Sequence, residues 1–166
     1  MYNIFSDTYD MEMLQGKPRV LYLDDDEANL VTFRANFRDQ YEIFTSTSPV
    51  AAYNMIEEHA IQVVITDHQM PSMSGVDFLA SVSRDYPEVK RILLTGYSDM
   101  VPLMEAINKG RVSAVLSKPF NTIEISKVVH EAWAQFKDML EKDVLIKQLR
   151  RQNQQFEFML RQRMLS

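Results

Sequence analysis

The sequence contains no cysteine. Disulfides, thiolate metal sites and cysteine nucleophiles are therefore excluded, and cysteine usage says nothing about compartment. Lys and Arg are missing from Met1 to Gln15, and that segment has no apolar core of signal-peptide length. No stretch approaches about 18 consecutive apolar residues, so no membrane span is expected and a cytoplasmic protein is the default. Internal repeats of solenoid spacing and low-complexity segments are also lacking. Glycine and proline disappear altogether from Asn121 to Leu165.

What is there is a chain of 166 residues, 46% hydrophobic and 25% charged. That length suits one domain plus an extension, and the composition is that of a soluble globular protein. The net charge of −5 conceals an asymmetry. Residues 137–166 carry seven Lys/Arg and four Asp/Glu, a net of +3, so the remaining residues carry −8. An acidic body is a poor nucleic-acid binder, and the tail's small, mixed charge does not argue for DNA.

The first 17 residues lack periodicity and read as a loose extension. From Arg19 short apolar runs alternate with helical spacing. The runs, rich in Val, Ile and Leu, are 19–23, 41–45, 62–66, 91–95 and 112–116. They have the length and composition of buried parallel strands. Between them, shared helical faces are formed by Leu30, Phe33 and Phe37; by Ala52, Met55 and Ile56; by Phe78, Leu79 and Val82; and by Leu103, Met104 and Ile107. Five strand–helix repeats predict an α/β fold with a parallel sheet covered on both faces. These stripes are read as core.

After Lys118-Pro119-Phe120, Asn121 and Glu124 have the spacing of a capping box. The helix that follows is far longer than the usual 11–12 residues or so. Ile125, Val128, Val129 and Ala132 would cover the sheet. Ile146, Leu149, Asn153, Phe156 and Leu160 then step by three and four, as coiled-coil a and d positions do, with Asn153 a polar residue able to fix register. Trp133, Phe136 and Leu140 follow a register offset by one residue, so the heptads are not continuous. The expected division is an extension at 1–17, a domain at 18–136 and a helical coiled-coil extension at 137–166.

In doubly wound sheets, functional groups gather at the carboxyl ends of strands. The first run ends on Asp24, Asp25 and Asp26, the third on Asp67, the fourth on Thr95, and the fifth leads to Lys118. Carboxylates so gathered repel one another unless a cation relieves them. Mg2+ prefers oxygen ligands of this kind together with phosphate oxygens. Lys118 and Thr95 suit phosphoryl oxygens. The set points to phosphoryl chemistry with an aspartate nucleophile. Asp26 or Glu27 reads instead as a cap for the next helix. His68 reads as a solvated loop residue, His59 and His130 lack metal-ligand spacing, and Trp133 and the methionines read as packing.

The runs Val20-Leu21-Tyr22-Leu23-Asp24-Asp25-Asp26, Val63-Val64-Ile65-Thr66-Asp67-His68-Gln69-Met70-Pro71-Ser72-Met73-Ser74-Gly75, Ile92-Leu93-Leu94-Thr95-Gly96 and Ser117-Lys118-Pro119-Phe120 together resemble a receiver domain of two-component response regulators. The resemblance covers about residues 18–136. It implies a flavodoxin-like sheet of order 2-1-3-4-5 and a phosphoprotein that is no enzyme beyond its own phosphorylation and dephosphorylation. It implies that Asp67 accepts a phosphoryl group from a sensor histidine kinase. Asp25, Asp67 and the Gln69 carbonyl would ligate Mg2+, and Asp24 would do so through water. Thr95 and Lys118 would bind the phosphoryl group, Pro119 would follow a cis peptide bond, and Gly96 would leave the site accessible. Gln69 and Tyr97 would tune dephosphorylation. One departure concerns Val115, at a position where most receivers carry a switching Tyr or Phe; a β-branched aliphatic cannot swing in that way. The signal is expected to leave through the fourth helix, the fifth strand and the base of the last helix, into a parallel dimeric coiled coil. The output partner is not legible. Two other readings stay open here. One is a Mg-dependent phosphohydrolase resembling the haloacid-dehalogenase family, using Asp24-x-Asp26. The other is a dimerising scaffold that is never phosphorylated.

Overall fold

The computed structural model describes residues 13–96, 107–109 and 112–166. Five parallel strands form one sheet: β1 Arg19–Leu23, β2 Glu42–Ser46, β3 Val63–Asp67, β4 Lys90–Thr95 and β5 Ala114–Ser117. Their order is β2-β1-β3-β4-β5. Parallel strands need crossovers, and these bring helices to both faces. Among the described residues, the helices of two turns or more are α1 Glu27–Phe37, α2 Pro49–Glu58, α3 Gly75–Asp85 and the long α4 Thr122–Leu165. The expected fold class is the observed one. The strand limits move by one or two residues, most at β5, where the apolar run begins at Val112 but pairing begins at Ala114.

Alternation along β1 separates two core layers. Leu21 and Leu23 pack with Ala52 and Ile56 of α2 and with Phe78, Leu79 and Val82 of α3. Val20 and Tyr22 pack on the opposite face with Leu30, Phe33 and Phe37 of α1 and with Ile125, Val129 and Ala132 of α4. Each Val, Leu, Ile or Phe among them contributes about 1.5–3 kcal/mol on burial. The stripes of the first three helices are therefore core, as expected. Leu103 and Met104 lie outside the described residues. Ile107 departs from its expected place, being 52% exposed. Residues 107–109 are all exposed, so Ile107 does not face the sheet.

Each helix begins on a side chain suited to accept orphan backbone N–H groups. Asp26 caps α1 by accepting from the Ala28 amide. Ser48 caps α2, with Pro49 in its first turn, and Ser74 caps α3. At α4 the capping box forms: the Glu124 amide donates to Asn121 Oδ1 at 2.8 Å, and the Glu124 carboxylate accepts from the Asn121 amide.

α4 runs unbroken for 44 residues, about 66 Å at 1.5 Å per residue. Its buried residues, Ile125, Val129, Ala132, Phe136 and Leu140, step by three and four along the first half. Phe136 and Leu140 pack on Met13 and Ala60 in a third cluster at the amino ends of the strands. This accounts for the offset register around Trp133, because that part of the helix faces its own domain. It also shows that the end of the N-terminal segment is packed, with Met13 only 4% exposed. Ala60 sits at φ 49°, a region that favours glycine, yet its methyl is buried in this cluster. Beyond Leu140 no residue of α4 is buried. Ile146, Leu149, Phe156 and Leu160 lie open on the protruding half.

Candidate functional site

The chain passes from β1 through α1 to β2 on one side, then from β2 through α2 to β3 on the other. The reversal opens a crevice at the carboxyl ends of β1 and β3. Leu23 is in register with Thr66, and Asp67 with Leu94. Asp24 and Asp25, immediately after β1, thus meet Asp67 at the end of β3. Carboxylate oxygens of Asp24, Asp25 and Asp67 lie within 4.8 Å of one another. Asp24 is buried, Asp25 is exposed and Asp67 is mostly buried, its side chain 13% exposed.

The fifth strand carries Lys118 to the same edge. The Lys118 amide donates to the Thr95 carbonyl at 2.7 Å, which aligns the ends of β4 and β5. Lys118 Nζ then lies 2.8 Å from Asp67 Oδ1 and 3.6 Å from Asp24 Oδ2. The Lys118–Pro119 peptide bond is cis. Thr95 closes β4, is 7% exposed, and its hydroxyl points to the Gly96 carbonyl at 3.4 Å.

The loop after Asp67 folds back tightly. The Gly75 amide donates to the His68 carbonyl at 2.9 Å, and the His68 amide donates to the Leu94 carbonyl at 2.9 Å. A Cβ at position 75 would sit 2.1 Å from the Asp67 carbonyl oxygen, so only glycine permits this approach. The Thr66 hydroxyl donates to the same oxygen at 3.0 Å. The Asp67 backbone is therefore held from two sides while its side chain reaches the crevice.

Two residues at the site were not singled out in the sequence. The Tyr22 hydroxyl donates to Asp24 Oδ2 at 2.6 Å, and the Asn29 side-chain amide donates to the same oxygen at 3.0 Å. The Asp26 amide donates to Asp24 Oδ1 at 2.9 Å. Burial, and then the bond to Asp24, hold the Tyr22 phenol far above its usual range, so it stays a donor. The signal for Tyr22 was the strand's alternation, which puts it on the same side as Asp24. Asn29 had only its place in the first turn of α1.

The expected site residues Asp24, Asp25, Asp67 and Lys118 come together, with Thr95 on the adjoining strand end. Gln69 is on the exposed loop two residues past Asp67. Val115 is half-buried on β5 opposite Leu93, packed into the α2–α3 layer. Tyr97 lies outside the described residues. Three carboxylates with converging oxygens form a hard-oxygen donor set that fits a divalent cation such as Mg2+. Asp24 suits nucleophilic attack poorly, since it is 1% exposed and both its oxygens already accept bonds. Asp26 is engaged in capping α1. Nothing in the arrangement favours the phosphohydrolase reading.

Residues 20–130 match the response regulator receiver domain family. The chain belongs to this family. The receiver is similar to the hydrogenase transcriptional regulatory protein HoxA of Cupriavidus necator, with 26% identity over 120 residues, 72% of this chain and 25% of HoxA. The chain thus spans about a quarter of that relative's length. Among solved structures, it is similar to one described as adenylate cyclase from Rhodopirellula baltica. The TM-score is 0.74 and the identity 28%, over 80% of this chain and 98% of that one. It is also similar to the signal receiver domain of an HD domain-containing protein from Pseudomonas fluorescens Pf-5. There the TM-score is 0.70 and the identity 27%, over 74% and 99% of the two chains. The five-stranded receiver fold is common to these findings and to the described residues. Among the described residues, no helix is long and apolar enough to cross a membrane.

Proposed function

We propose that this receiver accepts a phosphoryl group on Asp67 from the phosphohistidine of a sensor histidine kinase, in a Mg-dependent reaction. The observation that carries this reading is the meeting of Lys118 Nζ with Asp67 Oδ1 at 2.8 Å beside two further carboxylates. In the transfer, an Asp67 oxygen bonds to phosphorus as the phosphorus–nitrogen bond breaks. The electron pair leaves with the imidazole nitrogen, and the ring departs neutral because its other nitrogen keeps its proton. Asp25, Asp67 and the Gln69 carbonyl would hold Mg2+, with Asp24 acting through water, and the ion supplies charge neutralisation at the phosphoryl oxygens when bound. Lys118 pairs with one phosphoryl oxygen and the Thr95 hydroxyl donates to another. Gln69 and Tyr97 set access of the hydrolytic water. Apart from gaining and losing this group, the domain turns over no substrate, and the reading implies a cytoplasmic location.

The signal then leaves through the segment after β4, through β5 and through α4. Val115 offers no aromatic switch, so movement of the β5–α4 junction carries the change. The exposed half of α4 pairs with that of a second copy in a parallel coiled coil. Support comes from Ile146, Leu149, Phe156 and Leu160, all 46–61% exposed and spaced as a and d positions. In that pairing, two copies of Asn153 face each other.

The test is intact-mass measurement after incubation with acetyl phosphate and Mg2+. The account expects a gain of one phosphoryl group, lost on chelation of the metal and lost in Asp67→Asn. Labelling that persists in Asp67→Asn would refute it. For the dimer, sedimentation should give two copies in the wild-type protein and one in Leu149→Asp/Phe156→Asp.

A further inference from the structure

Two carboxylates face one ammonium at the edge of the sheet, and the ammonium is not where burial alone would send it. Asp24 is 1% exposed, whereas the Asp67 side chain is 13% exposed. A buried carboxylate needs a compensating partner more than a partly solvated one does. Even so, Lys118 Nζ is 2.8 Å from Asp67 and 3.6 Å from Asp24. The cause lies in the donors around Asp24. Its Oδ2 accepts from the Tyr22 hydroxyl at 2.6 Å and from the Asn29 amide at 3.0 Å, and its Oδ1 accepts from the Asp26 amide. All three donors are neutral and firmly placed. Tyr22 is 1% exposed and its ring centroid is 4.7 Å from that of Phe33. Asn29 and Asp26 belong to the capped start of α1.

We infer that Tyr22 and Asn29 are positioning residues that satisfy Asp24 with neutral donors and so leave the Lys118 ammonium to Asp67 and to the phosphoryl group it accepts. This rests on the reading of Asp67 as phosphoacceptor. Without the Tyr22 hydroxyl, Asp24 Oδ2 draws the lysine across the crevice. The phosphoryl group then loses its ammonium. Mg2+ gains on balance, because the ammonium stops competing for an oxygen of Asp67, a direct ligand on this reading, and moves to Asp24, which acts only through water. The two ligands thus respond in opposite directions, whereas a residue that merely held the site together would weaken both when removed.

Tyr22→Phe removes the hydroxyl and keeps the ring. The rate of labelling by acetyl phosphate at saturating Mg2+ is read by intact mass, and the affinity for Mg2+ alone by calorimetry. The rate is expected to fall about three- to tenfold and the Mg2+ affinity to rise about twofold, the scale set by one net hydrogen bond. Asn29→Ala should move both in the same directions. In an Asp24→Asn background, where no second carboxylate competes for Lys118, Tyr22→Phe should have no further effect on the rate. Parallel loss of rate and of Mg2+ affinity overturns the inference. So does an unchanged rate, or a full effect of Tyr22→Phe in Asp24→Asn. Failure of the phosphoacceptor reading shows separately, as a wild-type protein that gains no phosphoryl group or gains it equally in Asp67→Asn.

Discussion

At the carboxyl ends of the strands, Asp24, Asp25, Asp67 and Lys118 gather charge in a crevice open to solvent at Asp25. At the amino ends of the same strands, Met13, Ala60, Phe136 and Leu140 form an apolar plug. Buried polar residues at that end are satisfied rather than poised, as Gln62 shows. Gln62, 1% exposed, accepts from the Arg19 amide at 3.0 Å through its side chain and donates to the Met13 carbonyl at 3.4 Å. Its backbone bonds Arg19 and Lys90 as well. The difference teaches how the fold divides its tasks. One end closes the sheet with apolar contacts and completed hydrogen bonds. The other keeps like charges close, an arrangement that costs stability and that the proposed function uses for a cation and a phosphoryl group.

The largest expected effect comes from breaking the plug. Phe136→Ala should lower the unfolding free energy by about 3–5 kcal/mol in urea titrations, while the labelling rate of the folded protein stays unchanged. A parallel loss of labelling would mean that the two ends are coupled. Next comes Gln62→Leu, which strands the Arg19 amide and the Met13 carbonyl. A loss of about 1–3 kcal/mol is expected by the same measurement, again with normal labelling. The smallest effect has the opposite sign. Asp25→Asn should raise stability in a chelating buffer by up to about 1 kcal/mol, since Asp25 is exposed and its repulsion is screened by water. The proposed Mg2+ site predicts that the metal stabilises the wild-type protein, and Asp25→Asn should abolish that gain. A destabilised Asp25→Asn without metal would show that the crevice is not under electrostatic strain.

The sheet was legible in the sequence because parallel strands buried on both faces must be continuous apolar runs, and four of the five runs led to a residue of distinct chemistry. Asp24, Asp25, Asp67, Thr95 and Lys118 could be named from that pattern alone. The capping box at Asn121 and Glu124 was equally plain. Other features depend on contacts far apart in sequence. The packing of Met13 on Phe136 spans most of the chain, and no local pattern signals it. The offset register at Trp133 and Phe136 was visible, but only the fold shows that this part of α4 faces its own domain. Tyr22 read as one more apolar strand residue, and its hydroxyl acquires meaning only beside Asp24. Gly75 was part of a recognisable run, yet the reason for glycine is the Asp67 carbonyl in the space a Cβ would take.

The central claim is that Asp67, and no other aspartate of the crevice, takes the phosphoryl group. Borohydride reduction of the protein labelled with acetyl phosphate and Mg2+ converts an aspartyl phosphate to homoserine, and peptide mass spectrometry locates it. The account predicts homoserine at position 67 with Asp24 and Asp25 intact. Homoserine at position 24 or 25, or none anywhere in a labelled protein, would contradict it.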